Sequence, residues 1–188
     1  MSYGFDLVRL PSVVDRDEAY KQLLEEENTV SVRNPDGVDS GPIDPVAEQL
    51  KQRLAAALTA RHPTIVPYRR DYLQIAKGRG VDEAEARRLF RNVELNDKEM
   101  GFQILLFDNG AGASFSFVGA PQKCTRAFRV LWDCLEVLES EGGLSTYDSQ
   151  IDKVLDLKTD FDLVLKYACG VDRTEGRNTR IEMGSEST

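Results

Sequence analysis

The stretch FQILLFDNGAGASFSFV, residues 102–118, decides the fold class. Apolar residues alternate with others on both sides of Asp108-Asn109-Gly110, at Phe102, Ile104, Leu106, Ala113, Phe115 and Phe117. Alternation places apolar side chains on one face of a strand, and Asn-Gly accepts the positive φ values of a tight turn. The stretch therefore predicts a β-hairpin with one apolar face.

Helical patterns lie on both sides of this hairpin. Asp44-Pro45 supplies an N-cap and a first helical residue for a helix that ends at Arg61. Two shorter patterns between Asp71 and Arg91 predict a compact helix-turn-helix. After the hairpin, the longest apolar stripe predicts a central helix over residues 121–142.

Shorter elements complete the pattern. Residues 5–10 read as a first strand, and an acidic amphipathic helix follows, with Asp15 at its cap. A short strand at 93–95 precedes the hairpin, and a final strand or hairpin at 146–157 precedes a short helix capped by Asp160.

The order strand, helices, hairpin, long helix, strand predicts an α+β fold. We expect a ferredoxin-like split β-α-β sheet with the inserted helices packed on one face. Another α+β sandwich with the same elements connected differently is the alternative. Residues 1–170 are expected to form a single domain with the helical insertion at about 44–91, and the polar residues 171–188 to form a disordered tail.

The charge of the chain limits what it binds. Its 24 basic and 32 acidic side chains give a formal net charge of −8, which argues against a large surface that neutralises phosphates. The excess is uneven, since residues 44–91 carry ten basic and six acidic side chains and the segments on either side are acidic. Nucleic acid is therefore an unfavoured partner.

The three cysteines are an odd number and lack C-x-x-C spacing. Cys124 and Cys134 lie on the apolar stripe of the long helix and are expected in the core, while Cys169 is the more accessible thiol. Reduced thiols predict a reducing compartment. The chain also lacks a run of eighteen apolar residues, so we expect a cytoplasmic protein that does not bind a membrane.

No motif assembles a catalytic centre. His62 could act as a general base, which requires a positioned partner and a pocket, but the dipole of the preceding helix also favours a histidine at that helix end, and this structural role is the favoured interpretation. Paired carboxylates such as Asp108, Asp148, Asp152 and Asp156 match no calcium loop and read as a solvated acidic surface. We therefore expect no catalytic residues, no metal and no cofactor, and an enzyme built on clustered carboxylates is the least favoured hypothesis.

Residues 72–90 carry small residues at the spacing of DNA-binding helix-turn-helix motifs. In this alternative, nucleic acid would be contacted by Arg79, Arg87, Arg88 and Arg91. However, the helix that would enter the groove begins Asp82-Glu83-Ala84-Glu85, which turns carboxylates toward phosphates and base edges. A structural helical hairpin is the favoured interpretation.

Five segments of residues 1–167 together resemble a group of small bacterial proteins that open with an MSYxFD motif. They are MSYGFDL at the amino terminus, Asp71-Tyr72-x-x-Ile75-Ala76 with Glu85-Ala86-Arg87-Arg88, Val93-Glu94-Leu95-Asn96, Ile104-Leu105-Leu106-Phe107-Asp108 and Tyr147-Asp148-x-Gln150-x-x-x-Val154-Leu155-Asp156. Proteins of this kind are often encoded beside secreted-toxin genes, including those of type VI secretion.

The resemblance implies an immunity protein, which holds a cognate antibacterial toxin inactive by occluding its active site. An acidic protein suits a partner with a basic cleft, because complementary charge speeds encounter. Loops and sheet ends commonly carry recognition. The predicted partner-binding residues are therefore Asp108, Asn109, Tyr147, Asp148 and Asp152.

Overall fold

The computed structural model describes residues 2–10, 15–30, 41–116 and 121–169. Its helices are α1 (Arg16–Val30), α2 (Pro45–Arg61), α3 (Tyr72–Arg79), α4 (Glu83–Leu89), α5 (Pro121–Gly142) and α6 (Phe161–Cys169). Its strands are β1 (Ser2–Val8), β2 (Val66–Pro67), β3 (Val93–Asp97), β4 (Phe102–Leu106), β5 (Gly110–Ser116), β6 (Ser145–Asp148) and β7 (Lys153–Val154). The turn-rich stretch Asn34-Pro-Asp-Gly-Val-Asp-Ser-Gly-Pro-Ile43 predicts a loop. Most of that loop and the predicted tail at 171–188 lie outside the described residues.

Aspartates begin the helices, as the sequence predicts. The carboxylate of Asp44 accepts a hydrogen bond from the backbone N–H of Val46 at 2.9 Å. Asp71 and Asp82 cap α3 and α4 in the same way, which satisfies N–H groups that have no partner inside a helix. Among the described residues, no helix is long and apolar enough to cross a membrane.

The seven strands form one antiparallel sheet in the order β2-β3-β4-β5-β1-β6-β7. β1 lies inside the sheet, between β5 and β6, and pairs with β5 over its whole length, from Ser2 opposite Ser116 to Val8 opposite Gly110. The predicted α+β class is confirmed.

One face of the sheet carries the main core. Phe5 and Leu7 of β1 are buried there with the inward residues of β3, β4 and β5, against α2, α5 and α6. Phe128, Leu131 and Leu135 of α5 are fully buried, so the long helix is central, as predicted.

Helix α1 packs against the other face, which corrects the expectation that the helices lie on one face. Tyr147 stands opposite Asp6 in the β1–β6 ladder, so it points away from the core beneath Phe5. Tyr20 of α1 stacks on Tyr147 with ring centroids 3.8 Å apart, and Val8 packs against this pair. A second, smaller apolar cluster therefore fixes α1.

The β4–β5 hairpin forms at the predicted place but with a different turn. The backbone N–H of Phe107 donates to the carbonyl oxygen of Gly110 at 2.9 Å, and neither Asn109 nor Gly110 has a positive φ. The glycine serves a different need: a Cβ at Gly110 would lie 2.3 Å from the carbonyl oxygen of Leu7. Close approach of β1 and β5, rather than turn geometry, requires glycine there.

The prediction of three reduced thiols is wrong for two of them. Cys124, in the first turn of α5, forms a disulfide with Cys169, the last residue of α6. The odd number and wide spacing of the cysteines hid this pair, because only the packing of α6 against α5 brings the sulfurs together. Cys134 is a free, buried cysteine, and burial raises the pKa of its thiol to about 12.

An ionic network ties the hairpin turn to the inserted helices. Asp108 accepts hydrogen bonds from Lys51 Nζ at 2.7 Å and from Arg91 Nη2 at 2.7 Å. Lys51 is 1 % exposed, and its Nζ also lies 2.5 Å from Glu48 Oε1. Burial opposes ionisation of Asp108, but the bonds from Arg91 and Lys51 outweigh it and lower the pKa of this carboxyl.

Replacing Asp108 with asparagine should cost about 2–3 kcal/mol at pH 7, because it leaves Lys51 buried with less compensating charge. The lowered pKa contributes stability above the unfolded-state value of about 4, and that contribution is lost as the pH falls through the folded-state pKa. Urea unfolding of Asp108→Asn and wild type at pH 7 and pH 3 measures the difference, which should shrink at pH 3. Asn109→Ala, the neighbouring turn change, should stay within about 0.5 kcal/mol of wild type.

The Gly110→Ala substitution should destabilise the protein by at least about 2 kcal/mol, because the new Cβ meets backbone that cannot move without separating β1 from β5. The matched control is Gly112→Ala on the same strand, where the nearest atom to a Cβ is a Phe107 ring carbon at 3.7 Å. Thermal unfolding of both variants decides the point. Equal stability would contradict the close-approach argument.

Candidate partner-binding surface

The structure does not bring the five predicted partner-binding residues together. Ser145 of β6 and Gly110 of β5 both pair with Val8, so the turn with Asp108 and Asn109 lies at that end of the sheet. Asp148 pairs with Phe5, and Asp152 follows in the β6–β7 turn. The set therefore divides into two groups, one at the Val8 end of β1 and one beside the middle of that strand.

Two of the five are structural. Both carboxylate oxygens of Asp108 are engaged by Lys51 and Arg91. Asp148 is fully buried and accepts hydrogen bonds from the Tyr3 hydroxyl at 2.5 Å and from the backbone N–H of Gln150 at 2.9 Å. Burial raises the pKa of Asp148. Neither carboxylate is presented to a partner.

Tyr147 and Asp152 do lie together, on the outer face of the sheet. The Tyr147 hydroxyl donates to Asp152 Oδ1 at 2.5 Å, and its ring is stacked on Tyr20 and 8 % exposed. Burial, the hydrogen bond to Asp152 and the charges of Asp152, Asp17 and Asp6 raise the pKa of Tyr147 to about 12. Tyr147 is therefore a neutral donor surrounded by carboxylates.

These residues define what we call the acidic surface: Asp6, Asp17, Tyr20, Tyr147 and Asp152. The Tyr20 hydroxyl donates to Asp6 Oδ2 at 3.4 Å, and Asp17 Oδ1 accepts the backbone N–H of Val154 at 2.5 Å. Asp152 is exposed and has a φ of 54°, a left-handed conformation that aspartate tolerates better than most residues. Three carboxylates from β1, α1 and the β6–β7 turn thus surround one tyrosine pair.

The prediction missed Asp6, Asp17 and Tyr20, although the sequence carries a signal for each. Asp6 alternates with the apolar Phe5 and Leu7 and so belongs to the outer face. Asp17 and Tyr20 are three residues apart, which places them on one side of a helix. Only the contact of α1 with β6 and β7, which has no local signal, assembles them.

The arginines of the nucleic-acid alternative are paired inside the protein. Arg87 binds Glu83, with Nη2 and Oε1 2.5 Å apart, and stands over the Tyr72 ring at 4.5 Å, while Arg88 binds Glu85 at 2.7 Å. Arg91 belongs to the Asp108 network, and Arg79 lies over the ring of Phe90 at 5.6 Å.

His62, the histidine at the end of α2, has a carboxylate partner. Its Nε2 lies 2.6 Å from Asp133 Oδ2, and Arg61 forms two hydrogen bonds to the same carboxylate at 2.9 and 2.8 Å. The hydrogen bond from Arg61 is the main cause of the lowered pKa of Asp133, and the one from His62 adds to it. The three side chains join the end of α2 to α5. The neighbouring thiol of Cys134, held protonated by burial, is no candidate nucleophile.

A shallow cavity of about 400 Å³ lies on the outer face between β2 and β5. Its polar groups bind one another: Glu94 Oε1 accepts from Asn96 at 2.9 Å and from Gln103 at 2.7 Å, and Tyr68 stands at its rim. Within the described ranges, no three His, Cys, Asp or Glu side chains are placed to hold a metal ion.

The Asp148→Asn substitution should raise stability relative to wild type, and by more at pH 7 than at pH 4. Because the folded-state pKa of Asp148 is raised, its favourable contribution is complete below the unfolded-state pKa and is lost as the pH rises through the folded value. Asparagine removes the buried charge, its oxygen can accept from the Gln150 N–H, and its NH2 group can donate to the Tyr3 hydroxyl oxygen in place of the oxygen that accepted from it. Urea unfolding at both pH values tests this, with Asp152→Asn as the exposed control. A change in stability that is the same at both pH values, or a loss at pH 7, would contradict it.

No family model, curated protein or solved structure matches this chain. The function is therefore argued from the surface and from the motifs in the sequence.

Proposed function

We propose that this protein is a non-enzymatic immunity protein that binds a cognate antibacterial toxin, of the kind delivered by type VI secretion, and occludes its active site. The acidic surface is the observation that carries the proposal. It combines carboxylates from three separate elements with two tyrosines whose rings are held rigid by stacking. The resemblance to immunity-like bacterial proteins points the same way.

The negative charge of the acidic surface favours a partner with a basic binding site. Asp6 and Asp17 are half-buried and Asp152 is exposed, so their charges reach a docking surface while their positions stay fixed by hydrogen bonds. A preformed surface whose charges all have the same sign accelerates the encounter with a cleft of the opposite charge. The stacked rings of Tyr20 and Tyr147 are buried, so they hold α1 against β6 and fix the positions of the three carboxylates. Of the five residues predicted from the sequence, the proposed site contains Tyr147 and Asp152. It also contains Asp6 and the α1 residues Asp17 and Tyr20, whereas Asp108 and Asp148 have structural roles.

The order β4-β5-β1-β6 within the sheet supports a ferredoxin-like core, which we propose as the fold that carries this surface. In that arrangement, β1 occupies an inner position and the hairpin and the last strand flank it. Because α1 lies on the opposite face, α2, which packs in the main core with α5, is then the first crossover helix, and β2, β3, α3 and α4 are the insertion. A cytoplasmic location remains a prediction. The Cys124–Cys169 disulfide removes the argument for it that was based on three reduced thiols.

Co-expression with the product of the adjacent gene tests the immunity proposal. Growth should be rescued, and the two proteins should copurify as a stable complex. If a folded protein neither rescues growth nor forms a complex, the proposal fails.

The double variant Asp6→Asn/Asp152→Asn tests the acidic surface separately. It removes two charges and keeps hydrogen-bond acceptors, so we expect association with the toxin to slow at least tenfold and to depend less on salt. Glu136→Gln/Glu141→Gln makes the same change of net charge at exposed positions on α5 and should leave the association rate within about twofold of wild type. If both double variants bind alike, the partner docks elsewhere.

The alternative function, a nucleic-acid-associated regulator that uses residues 71–91, has less support because its arginines are engaged by carboxylates and rings. A titration with duplex DNA at low and moderate salt decides it. Phosphate contacts would produce tight binding that weakens steeply with salt, and absence of binding at low salt removes the alternative.

A further inference from the structure

The disulfide joins two helix ends that are far apart in sequence. Cys124 and Cys169 are 45 residues apart, and their Cα atoms lie 5.8 Å from each other, within the range of a disulfide. Both cysteines are buried, at 1 % and 8 % exposure. Solvent reductants therefore have poor access to the bond in the folded protein.

The segment closed by this bond contains β6, β7 and α6, and with them part of the acidic surface. Helix α6 packs on α5 through Phe161, whose ring centroid lies 5.6 Å from that of Phe128 and 5.4 Å from that of Trp132. Just before α6, Asp160 accepts hydrogen bonds from Lys153 Nζ and from the backbone N–H of Asp156, each at 2.8 Å. The start of α6 is thus connected to Lys153 of β7, next to the β6–β7 turn.

We propose that the Cys124–Cys169 disulfide is a redox-dependent lock on residues 145–169, and that the protein matures in a compartment that supplies a disulfide donor. In the step that forms it, two thiols lose two protons and two electrons as their sulfurs bond, and the donor disulfide is reduced to two thiols. This inference concerns stability and compartment and does not depend on the identity of the partner.

Cys134 explains how an odd cysteine is compatible with such a bond. Its thiol is fully buried in the same helix as Cys124, and burial keeps it protonated at neutral pH. Because the thiolate is the species that attacks a disulfide, Cys134 is a poor competitor for exchange. The assignment of one bond and one inert thiol is therefore stable in the folded state.

Counting thiols in the cells that make the protein tests the bond itself. Cells are quenched with an alkylating reagent under denaturing conditions before any reductant is added, and the protein is examined by mass spectrometry. One alkylated cysteine of three, at Cys134, is expected. Three alkylated cysteines would overturn the proposal.

Reduction of the purified protein, continued until alkylation and mass spectrometry show three free thiols, tests the lock. Closing a loop of about 45 residues stabilises a fold through the unfolded chain, and for a protein of this size the loss should lower Tm by about 8–15 °C. Amide hydrogen exchange should become at least tenfold faster in residues 145–169 and change little in residues 102–116. An unchanged Tm, or equal acceleration in both regions, would refute a local lock.

Two variants separate the bond from other effects of the reductant. Cys124→Ala/Cys169→Ala should show no Tm response to reductant, whereas Cys134→Ala should keep the full response. Should the double variant fail to fold, the comparison of oxidised and reduced wild type still decides the question.

Discussion

The pairing of β1 with β5 is the constraint on which the other elements depend. It joins seven residue pairs from segments about a hundred positions apart, so the helical insertion must be accommodated between two strands that end side by side. The register places Phe5 and Leu7 over α5 and turns Asp6 outward. It also fixes the free edge of β1, on which β6 pairs and brings Tyr147 next to α1. Residues of β1 thus contribute to the core on one face of the sheet and to the acidic surface on the other.

Local rules predicted the elements well because their causes are local. Caps such as Asp44 and Asp82 begin their helices where side-chain chemistry indicates, and the alternation in 102–116 gives the hairpin. What failed depends on neighbours distant in sequence. The sequence pattern around Gly110 indicated a turn residue. It could not show that the backbone of Leu7, about a hundred positions away, packs against Gly110. Similarly, Cys124 and Cys169 gave no spacing signal, and α1 gave no indication of which face it would cover.

The candidate site shows the same division. Tyr147 and Asp152 were found because turns and strand ends often carry recognition, but that rule alone cannot distinguish a presented carboxylate from a supporting one. Asp108 and Asp148 are both acidic residues beside turns, yet the first neutralises a buried lysine and the second is enclosed beside Tyr3. Burial and partners, which require the fold, separate the two roles. Asp6 and Asp17 acquire their significance only through assembly.

The two strands at the margins of the sheet have a consequence for self-association. β2 and β7 are each two residues long. One of the two residues of β2 is Pro67, which lacks the N–H that a further strand would need. At the opposite margin, the N–H of Val154 is already bound by Asp17 from α1. An exposed edge strand can pair with a strand of another chain, which leads to aggregation and fibrils. Here a helix carboxylate and a proline occupy the two edge strands, so the same aspartate that shapes the acidic surface also binds an N–H that an added strand would need.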